Sequence, residues 1–297
     1  MKYLYHFINP INWWRAYRFK KLNDKYDKSS YDLELNLYSK LLKNDMLHYG
    51  YFKNPNINTE DISLKQIEDA QILYSHQIID KIKRKEEYIL DVGCGMGGLA
   101  KIIKEKNLKV EVLTPNKNQI DHIQFKYPEL KFYHSKFENL KTSMSYGTII
   151  HSESLQYMDL DKAFKKVELI MNTGGQWIIT DYFRIDLSGI NKSGHQLDDF
   201  LEKVEEYGWK TVFKQDITGN VLPTLRFINM YAERFLFPLK HFAFEKLRFK
   251  NPKLFFMTKS FRDSIDKKIH KEMASVDARK FENEKKYLLF VLEKKFN

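Results

Sequence analysis

The apolar positions change their period along the chain. Over 63–84, Ile67, Ala70, Ile72, Leu73, His76, Ile79 and Ile82 recur near helical spacing, and Lys and Arg follow at the end, which predicts an amphipathic helix. A second helix is predicted over 30–49. Between them, HYGYFKNPNIN carries the Gly, Pro and Asn of a loop. At Tyr88 the period shortens, and Tyr88-Ile89-Leu90-Asp91-Val92 reads as a buried strand running directly into GCGMGG. Further strands are predicted at 109–113, 130–133, 146–151, 176–182, 211–216 and 287–292. Helices at 97–106, 116–125, 160–171 and 196–207 fall between them. This alternation predicts an α/β fold: a Rossmann-like, doubly wound, seven-stranded and mostly parallel sheet with N-terminal helices. The last two strands are about seventy residues apart, too far for a simple connection. A helical cap is therefore predicted as an insertion between them. The division is 1–85 for the N-terminal helical segment, 86–219 with 285–297 for the sheet domain, and 220–284 for the cap. In the cap, Phe227, Ile228, Tyr231 and Phe235 share one helical face.

Composition adds limits. Of 297 residues, 43% are hydrophobic and 15% aromatic, which is a folded rather than a disordered composition. The single cysteine, Cys94, excludes an intramolecular disulfide framework and a cysteine-based zinc cluster. It fits a reducing compartment, read here as the cytoplasm. No apolar run is long enough to span a bilayer. The N-terminal MKYLYHFINPINWWRAYRFKK lacks the apolar stretch and cleavage site of a signal peptide. The formal charge of +11 is uneven: residues 1–28 carry +5, residues 210–297 carry +10, and residues 29–209 carry −4. That pattern argues against a polyanion-coating protein. It fits an anionic ligand or membrane surface near the flanks, and equally a solvated lysine-rich surface. Trp13, Trp14, Arg15, Arg18, Lys20 and Lys21 have the makeup of an interfacial anchor, or of a helix packed on the domain.

The glycine-rich segment carries the strongest chemical signal. A strand feeding glycines into a helix brings backbone N–H groups close to a ligand, because missing Cβ atoms permit a tight turn and close approach. Gly93, Gly95 and Gly98 form a literal G-x-G-x-x-G, so a dinucleotide site is one reading. Two features oppose it. The second strand ends in Leu113-Thr114-Pro115-Asn116, without an acid for a ribose hydroxyl, and Glu111 lies inside the strand. Asp91, just before the glycines, would repel a pyrophosphate but suits a cationic amino group.

DVGCGMGG resembles motif I of the class I S-adenosylmethionine-dependent methyltransferases. More narrowly, residues 30–295 are similar to the small-molecule group that includes sterol, tocopherol and geranyl diphosphate C-methyltransferases and cyclopropane fatty acid synthases. Four further stretches carry the resemblance in order. His48-Tyr49-Gly50-Tyr51-Phe52 resembles the segment that closes over the cofactor, and Leu113 to Gln119 the second-strand motif. Ser152 to Met158 resembles the segment after the fourth strand, and Gln215 to Leu225 the approach to the lid. The resemblance implies S-adenosyl-L-methionine as cofactor. Gly93, Gly95 and Gly97 would line its methionine and ribose end, with Asp91 close by. Thr114 and Gln119 would flank ribose and adenine, and Phe137 and Glu138 would lie near the adenine ring. Cys94, Pro115 and Tyr49 belong to the same implied site. The chain departs from many relatives in having Thr114 where they have an acid, and Lys136 where they have Asp.

Methyl transfer from a sulfonium is an in-line displacement with a good neutral leaving group, so positioning and water exclusion dominate. A base is needed only where the acceptor loses a proton. Candidates at the expected mouth are His48, Tyr49, Glu153, Tyr157, Asp181 and His195, and the catalytic assignment is Glu153 with Tyr49 and His48. By resemblance to related C-methyltransferases, in which a Glu in this region can remove the proton from a carbocation, Glu153 would do so; the alternative is helix capping or a salt bridge. For Tyr49 the alternative is loop packing. His195 reads better as a loop residue, Asp181 as a brace, and Cys94 as no nucleophile. No metal ligands are assigned.

The aromatic cap suits a small, apolar acceptor, such as an isoprenoid, lipid or quinone, or else packs its own core. Peripheral membrane contact is an additional expected partnership; oligomeric state is not legible. Nucleic acid is disfavoured, since no Asn-Pro-Pro-Tyr-type motif follows the fourth strand and there is no second cysteine for covalent pyrimidine chemistry. Cyclopropane synthesis ranks below methylation, because the chain looks short for that group and has no cysteine outside the glycine loop. A catalytically inactive methyltransferase fold that binds membrane surfaces is the non-enzymatic alternative.

Overall fold

The computed structural model describes residues 9–23, 43–185 and 193–294. Its sheet comprises β1 (Ile89–Val92), β2 (Val110–Thr114), β3 (Lys131–His134), β4 (Tyr146–Ser152), β5 (Met171–Arg184), β6 (Trp209–Asp216) and β7 (Lys285–Lys294), in the order β3-β2-β1-β4-β5-β7-β6. β7 runs antiparallel to both its neighbours, and the other pairs are parallel. This is the predicted seven-stranded, mostly parallel sheet. β1 and β2 are buried at every position, as central parallel strands covered on both faces must be.

Each face has its own core. On one, α2 (Leu64–Ile79) and α3 (Gly98–Glu105) bring Tyr74, Ile78, Leu99 and Ile103 against Val112, Ile150 and Leu289. On the other, α5 (Leu160–Ile170) and α6 (Leu197–Glu206) press Phe164 and Phe200 onto Trp177, Trp209 and Phe290. Three helices start where the sequence caps them. Ser63 and Gln66 form a capping box on α2. Asn116 caps α4 (Lys117–Lys126), and Asp159 caps α5.

The long segment between β6 and β7 is helical. α7 (Thr218–Tyr231), a π-helical turn (Ala232–Leu236) and α8 (Phe237–Lys250) run on without a break, followed by α9 (Pro252–Met257), α10 (Lys259–Ser275) and α11 (Ala278–Glu284). The first turns of α7 belong to the body: Val221, Leu222 and Leu225 pack with Tyr287 and Leu289. Further along, Phe227, Tyr231 and Phe235 form a ladder of rings 4.5 and 5.2 Å apart. A separate helix, α1 (Pro10–Asn23), contains Trp13 and Trp14.

One predicted element differs. Up to residue 42, the helix predicted over 30–49 lies outside the described residues. From 43 onward the chain is instead an irregular strap. Asp45 has a φ of 57°, incompatible with continuing a helix. Tertiary bonds hold the strap. Asn44 Nδ2 donates to Gln71 Oε1 (2.9 Å) and Gln71 Nε2 to the His48 carbonyl (2.7 Å), while the Gly50 N–H donates to Thr224 Oγ1 (3.0 Å). The strap crosses the start of α3 so closely that a Cβ on Gly98 would lie 2.8 Å from the Asp45 carbonyl oxygen.

Candidate active site

The winding of the sheet reverses between β1 and β4, which is where open α/β sheets place their ligand crevice. A cleft of ≈ 460 Å³ opens there, walled by the strap, the glycine loop and the segments after β2, β3 and β4. The glycine loop takes its shape from backbone conformations that side chains rarely adopt: φ is 75° at Gly93, 56° at Gly95 and 91° at Gly97. Ser154 holds the loop by donating to the Val92 carbonyl (2.6 Å), and a Cβ on Gly93 would lie 2.4 Å from the Ser154 Cβ.

The cleft lining brings together most of the residues singled out in the sequence: His48, Asp91, Gly93, Cys94, Gly95, Thr114, Pro115, Gln119, Phe137, Glu138, Glu153 and Tyr157. Gly97 and Tyr49 are not in that lining. Gly97 faces Ile123 and Tyr127 across the start of α3. The Tyr49 ring packs against Phe281 and Tyr287, and it is the Tyr49 backbone N–H that reaches Glu153 Oε1, at 2.9 Å. Asp181 and His195 also lie outside. Asp181 accepts from the Gln156 and Tyr182 N–H groups, and His195 Nε2 bonds the Leu155 carbonyl (3.0 Å), so both pin the turn after β4. None of the aromatic residues of 227–261 lines the cleft, so the aromatic richness of the cap is not a property of this pocket.

Sequence reasoning missed Asp45, Met46 and Leu47 on the strap wall, Asn116 and Ser154. Asp45, Met46 and Leu47 only adjoin a quoted motif, whereas Asn116 and Ser154 lie inside two of them without a role assigned. It also missed Tyr74 and Tyr287. Tyr287 OH donates to Glu153 Oε1 (2.6 Å), with Tyr74 OH 2.9 Å behind it.

Two buried carboxyl groups dominate the electrostatics of the cleft. Asp91 is buried and its Oδ2 has no hydrogen-bond partner. Burial pushes its carboxyl up to about 7. Cys94 beside it is held as a thiol, chiefly by burial and then by the Asp91 charge. Thr114 donates to Gln119 Oε1 (2.5 Å) and accepts from the Asn116 N–H, making a neutral polar rim. After β4, Glu153 has a φ of 51°, an unusual backbone conformation for a non-glycine residue. Burial raises its carboxyl to about 7, against the lowering effect of the bonds from Tyr287 and the Tyr49 N–H. His48 is driven down to about 4 by burial and is neutral near pH 7. Its Nδ1 donates to the Tyr49 carbonyl (2.8 Å) and its ring stacks on Tyr74 at 4.1 Å. His48 thus forms a neutral wall, while Glu153, like Asp91, changes its protonation near neutrality.

Comparison with known proteins places this geometry. The sequence profile of the mycolic acid cyclopropane synthetase family matches residues 19–291. Among curated proteins none matches the sequence. The cyclopropane synthase MmaA2 from Mycobacterium tuberculosis is similar in fold, with a TM-score of 0.63 and 15% identity over 86% of this chain and 93% of that one. Geranyl diphosphate C-methyltransferase from Streptomyces coelicolor A3(2), solved with Mg2+, geranyl diphosphate and S-adenosyl-L-homocysteine, has a TM-score of 0.61 and 14% identity over 90% of this chain and 94% of that one. The [4+2]-cyclase SpnF has a TM-score of 0.65 and 15% identity over 88% of this chain and 92% of that one. At these identities the structural likeness speaks for the fold. The coverage of MmaA2 also removes one sequence argument, since the chain is not short beside that cyclopropane synthase.

Proposed function

The chain belongs to the mycolic acid cyclopropane synthetase family and is an S-adenosyl-L-methionine-dependent methyltransferase of class I, and we propose that its cleft methylates a small apolar acceptor with Glu153 as the proton-accepting residue. The observation that carries this is the pairing, in one cleft, of an unpartnered buried carboxylate at Asp91 with a second buried carboxylate at Glu153.

The residues present fit the cofactor. The orphan oxygen of Asp91 calls for a cationic or hydrogen-bond-donating group, as an amino-acid ammonium supplies. Gly93 and Gly95 present the glycine loop to the cleft, and Thr114, Gln119, Phe137 and Glu138 form the remainder of the rim. When bound, the cofactor supplies an activated methyl group on a sulfonium. Glu153 has the protonation balance of a base that operates near pH 7. If an alkene acceptor takes the methyl carbon as its S–C bond breaks, a proton leaves the resulting cation. Glu153 would receive it. Loss from the acceptor chain gives a methylated alkene; loss from the transferred methyl closes a cyclopropane. The second outcome, the alternative to methylation, is supported by the description of the matched family. Neighbours that act on geranyl diphosphate and as a cyclopropane synthase support an isoprenoid-like or lipid-like acceptor.

Calorimetry with S-adenosylmethionine and S-adenosylhomocysteine tests the cofactor reading, and absence of binding to either would sink it. Incubation with unsaturated lipids and prenyl diphosphates tests the acceptor class. Because both outcomes add one CH2, the products are told apart by their proton NMR spectra and not by mass.

A further inference from the structure

The helices between 237 and 275 present a face that the cleft does not use. α8 and α9 bury no side chain. The inner stripe of α8, Phe237, Lys240, Phe244 and Leu247, is half-buried, and Lys240 is paired with Asp266 of α10 at 2.6 Å. The opposite stripe is Phe235, Leu239, Phe242, Lys246 and Phe249. Its spacing of i, i+4, i+7, i+11 and i+14 is one face of a continuous helix. On it Phe242 is 62% and Phe249 74% exposed, with Phe256 on α9 at 79% and Phe261 on α10 at 66%. Cations stand among these rings. The Lys246 ammonium is 5.4 Å from the Phe242 ring centre, and the Arg248 guanidinium 5.1 Å from that of Phe249. Residues 237–275 carry ten Lys and Arg against four Asp and Glu.

Apolar rings exposed to water with cations beside them match a bilayer interface, where rings enter the acyl boundary and cations meet lipid phosphates. Other occupants match less well. A second copy would oppose two surfaces of the same positive sign. A nucleic acid would use the cations and rings but leave Leu239 and Met257, both exposed, without an apolar partner. We propose that this outer face of α8, α9 and α10 docks on the surface of an anionic lipid bilayer. Docking would bring the cleft to a bilayer-resident acceptor, but it is independent of the chemistry in the cleft.

The test is co-sedimentation of the full chain with vesicles of phosphatidylcholine alone and of phosphatidylcholine with one-third phosphatidylglycerol. Binding is expected to the anionic vesicles and to weaken with salt. A variant with Phe242→Ser, Phe249→Ser and Phe256→Ser is expected to lose about tenfold in vesicle affinity. One with Lys246→Glu, Lys250→Glu and Lys253→Glu is expected to lose on the order of a hundredfold. Thermal unfolding and cofactor binding should be unchanged in both, so a failed docking proposal is distinguishable from a failed cofactor reading. Four results would overturn it: no binding of the wild-type chain, binding that both variants retain (which would move the contact to another surface such as α1), tighter binding to polyuridine RNA than to vesicles, or self-association that the Phe variant abolishes.

Discussion

Replacing Asp91 with asparagine should make the protein more stable and a poorer binder of its cofactor. Asp91 is buried, its Oδ2 has no partner, and burial lifts its carboxyl from 3.8 to about 7. A rise of about three units, at 1.36 kcal/mol each, sets an upper bound of about 4 kcal/mol on the cost of keeping this charge in the folded state at high pH. Relaxation around the carboxylate returns part of that cost, and asparagine brings an N–H pair that must itself be satisfied, so the net gain expected is about 2 kcal/mol. For a chain of this size that corresponds to about 3 °C in Tm. The direction with pH follows from the raised folded-state value. Below about pH 4 the aspartate is protonated whether folded or unfolded, and the variant has no advantage. Between about 4 and 7 the unfolded state ionises while the folded state resists, so the advantage grows. Above 7 it is constant. Thermal or urea unfolding of both proteins at pH 4.5 and 8, without cofactor, measures this difference. The other raised carboxyls, Glu153 and Asp181, are common to both proteins and cancel. Calorimetry should then show S-adenosylmethionine binding weakened about thirtyfold at pH 8, equivalent to about 2 kcal/mol. A variant less stable than wild type at pH 8 would refute the uncompensated charge. A more stable variant with unaltered affinity would refute its ligand role.

Three further outcomes are expected. Glu153→Gln should lower kcat by about 10²–10⁴-fold while weakening cofactor binding less than Asp91→Asn does, since the Glu153 carboxylate already has Tyr287 and the Tyr49 N–H as partners whereas Asp91 Oδ2 has none. Wild-type activity should rise with pH through about 7 as the Glu153 carboxylate forms, and Tyr287→Phe should move that inflection upward by about one unit because it removes the 2.6 Å bond that stabilises the anion. Gly98→Ala should place a methyl 2.7 Å from Met46 Cγ and 2.8 Å from the Asp45 carbonyl; it should destabilise the protein by about 2 kcal/mol and increase amide exchange across residues 43–50.

The sheet was legible because its strands are short, apolar and punctuated. Ile89–Val92 is buried throughout and ends in glycines, a pattern that no amphipathic helix shares. The glycine loop was legible for the same reason, and with it Asp91. The strap was not. Its shape is set by Gln71, Asn220 and Thr224, which lie far along the chain from the residues they hold, so local periodicity around residue 45 suggested a helix. Distance also hid Tyr287, which is 134 positions from Glu153. Within the glycine run, spacing alone could not separate Gly93, which lines the cleft, from Gly97, which packs on Tyr127. The cap shows a different limit. Composition counted its aromatic rings but could not divide them between the buried Phe227 and the exposed Phe249, because that division depends on where α9 and α10 fold back.

The two carboxylates also couple cofactor binding to proton release. In the cleft, Asp91 and Glu153 are each raised to about 7 by burial, and among the described residues no cation is placed against Asp91 Oδ2. A ligand that brings positive charge to this cleft must favour the ionised carboxylates and draw their values down. Between about pH 5 and 7 the free protein holds protons there that the complex does not. Binding must then release protons, and by linkage the affinity must rise with pH until both groups are ionised in the free state. Near pH 6 the release should lie between about half a proton and two, and it should fall toward zero above about pH 8. Titration of S-adenosylmethionine in two buffers of different ionisation enthalpy measures it directly, and Asp91→Asn should remove the larger part. Uptake of protons at pH 6, or a release that Asp91→Asn and Glu153→Gln both leave unchanged, would show that the cationic ligand does not meet these groups. Release that survives in Asp91→Asn but disappears in Glu153→Gln would place the positive charge against Glu153 and not against Asp91.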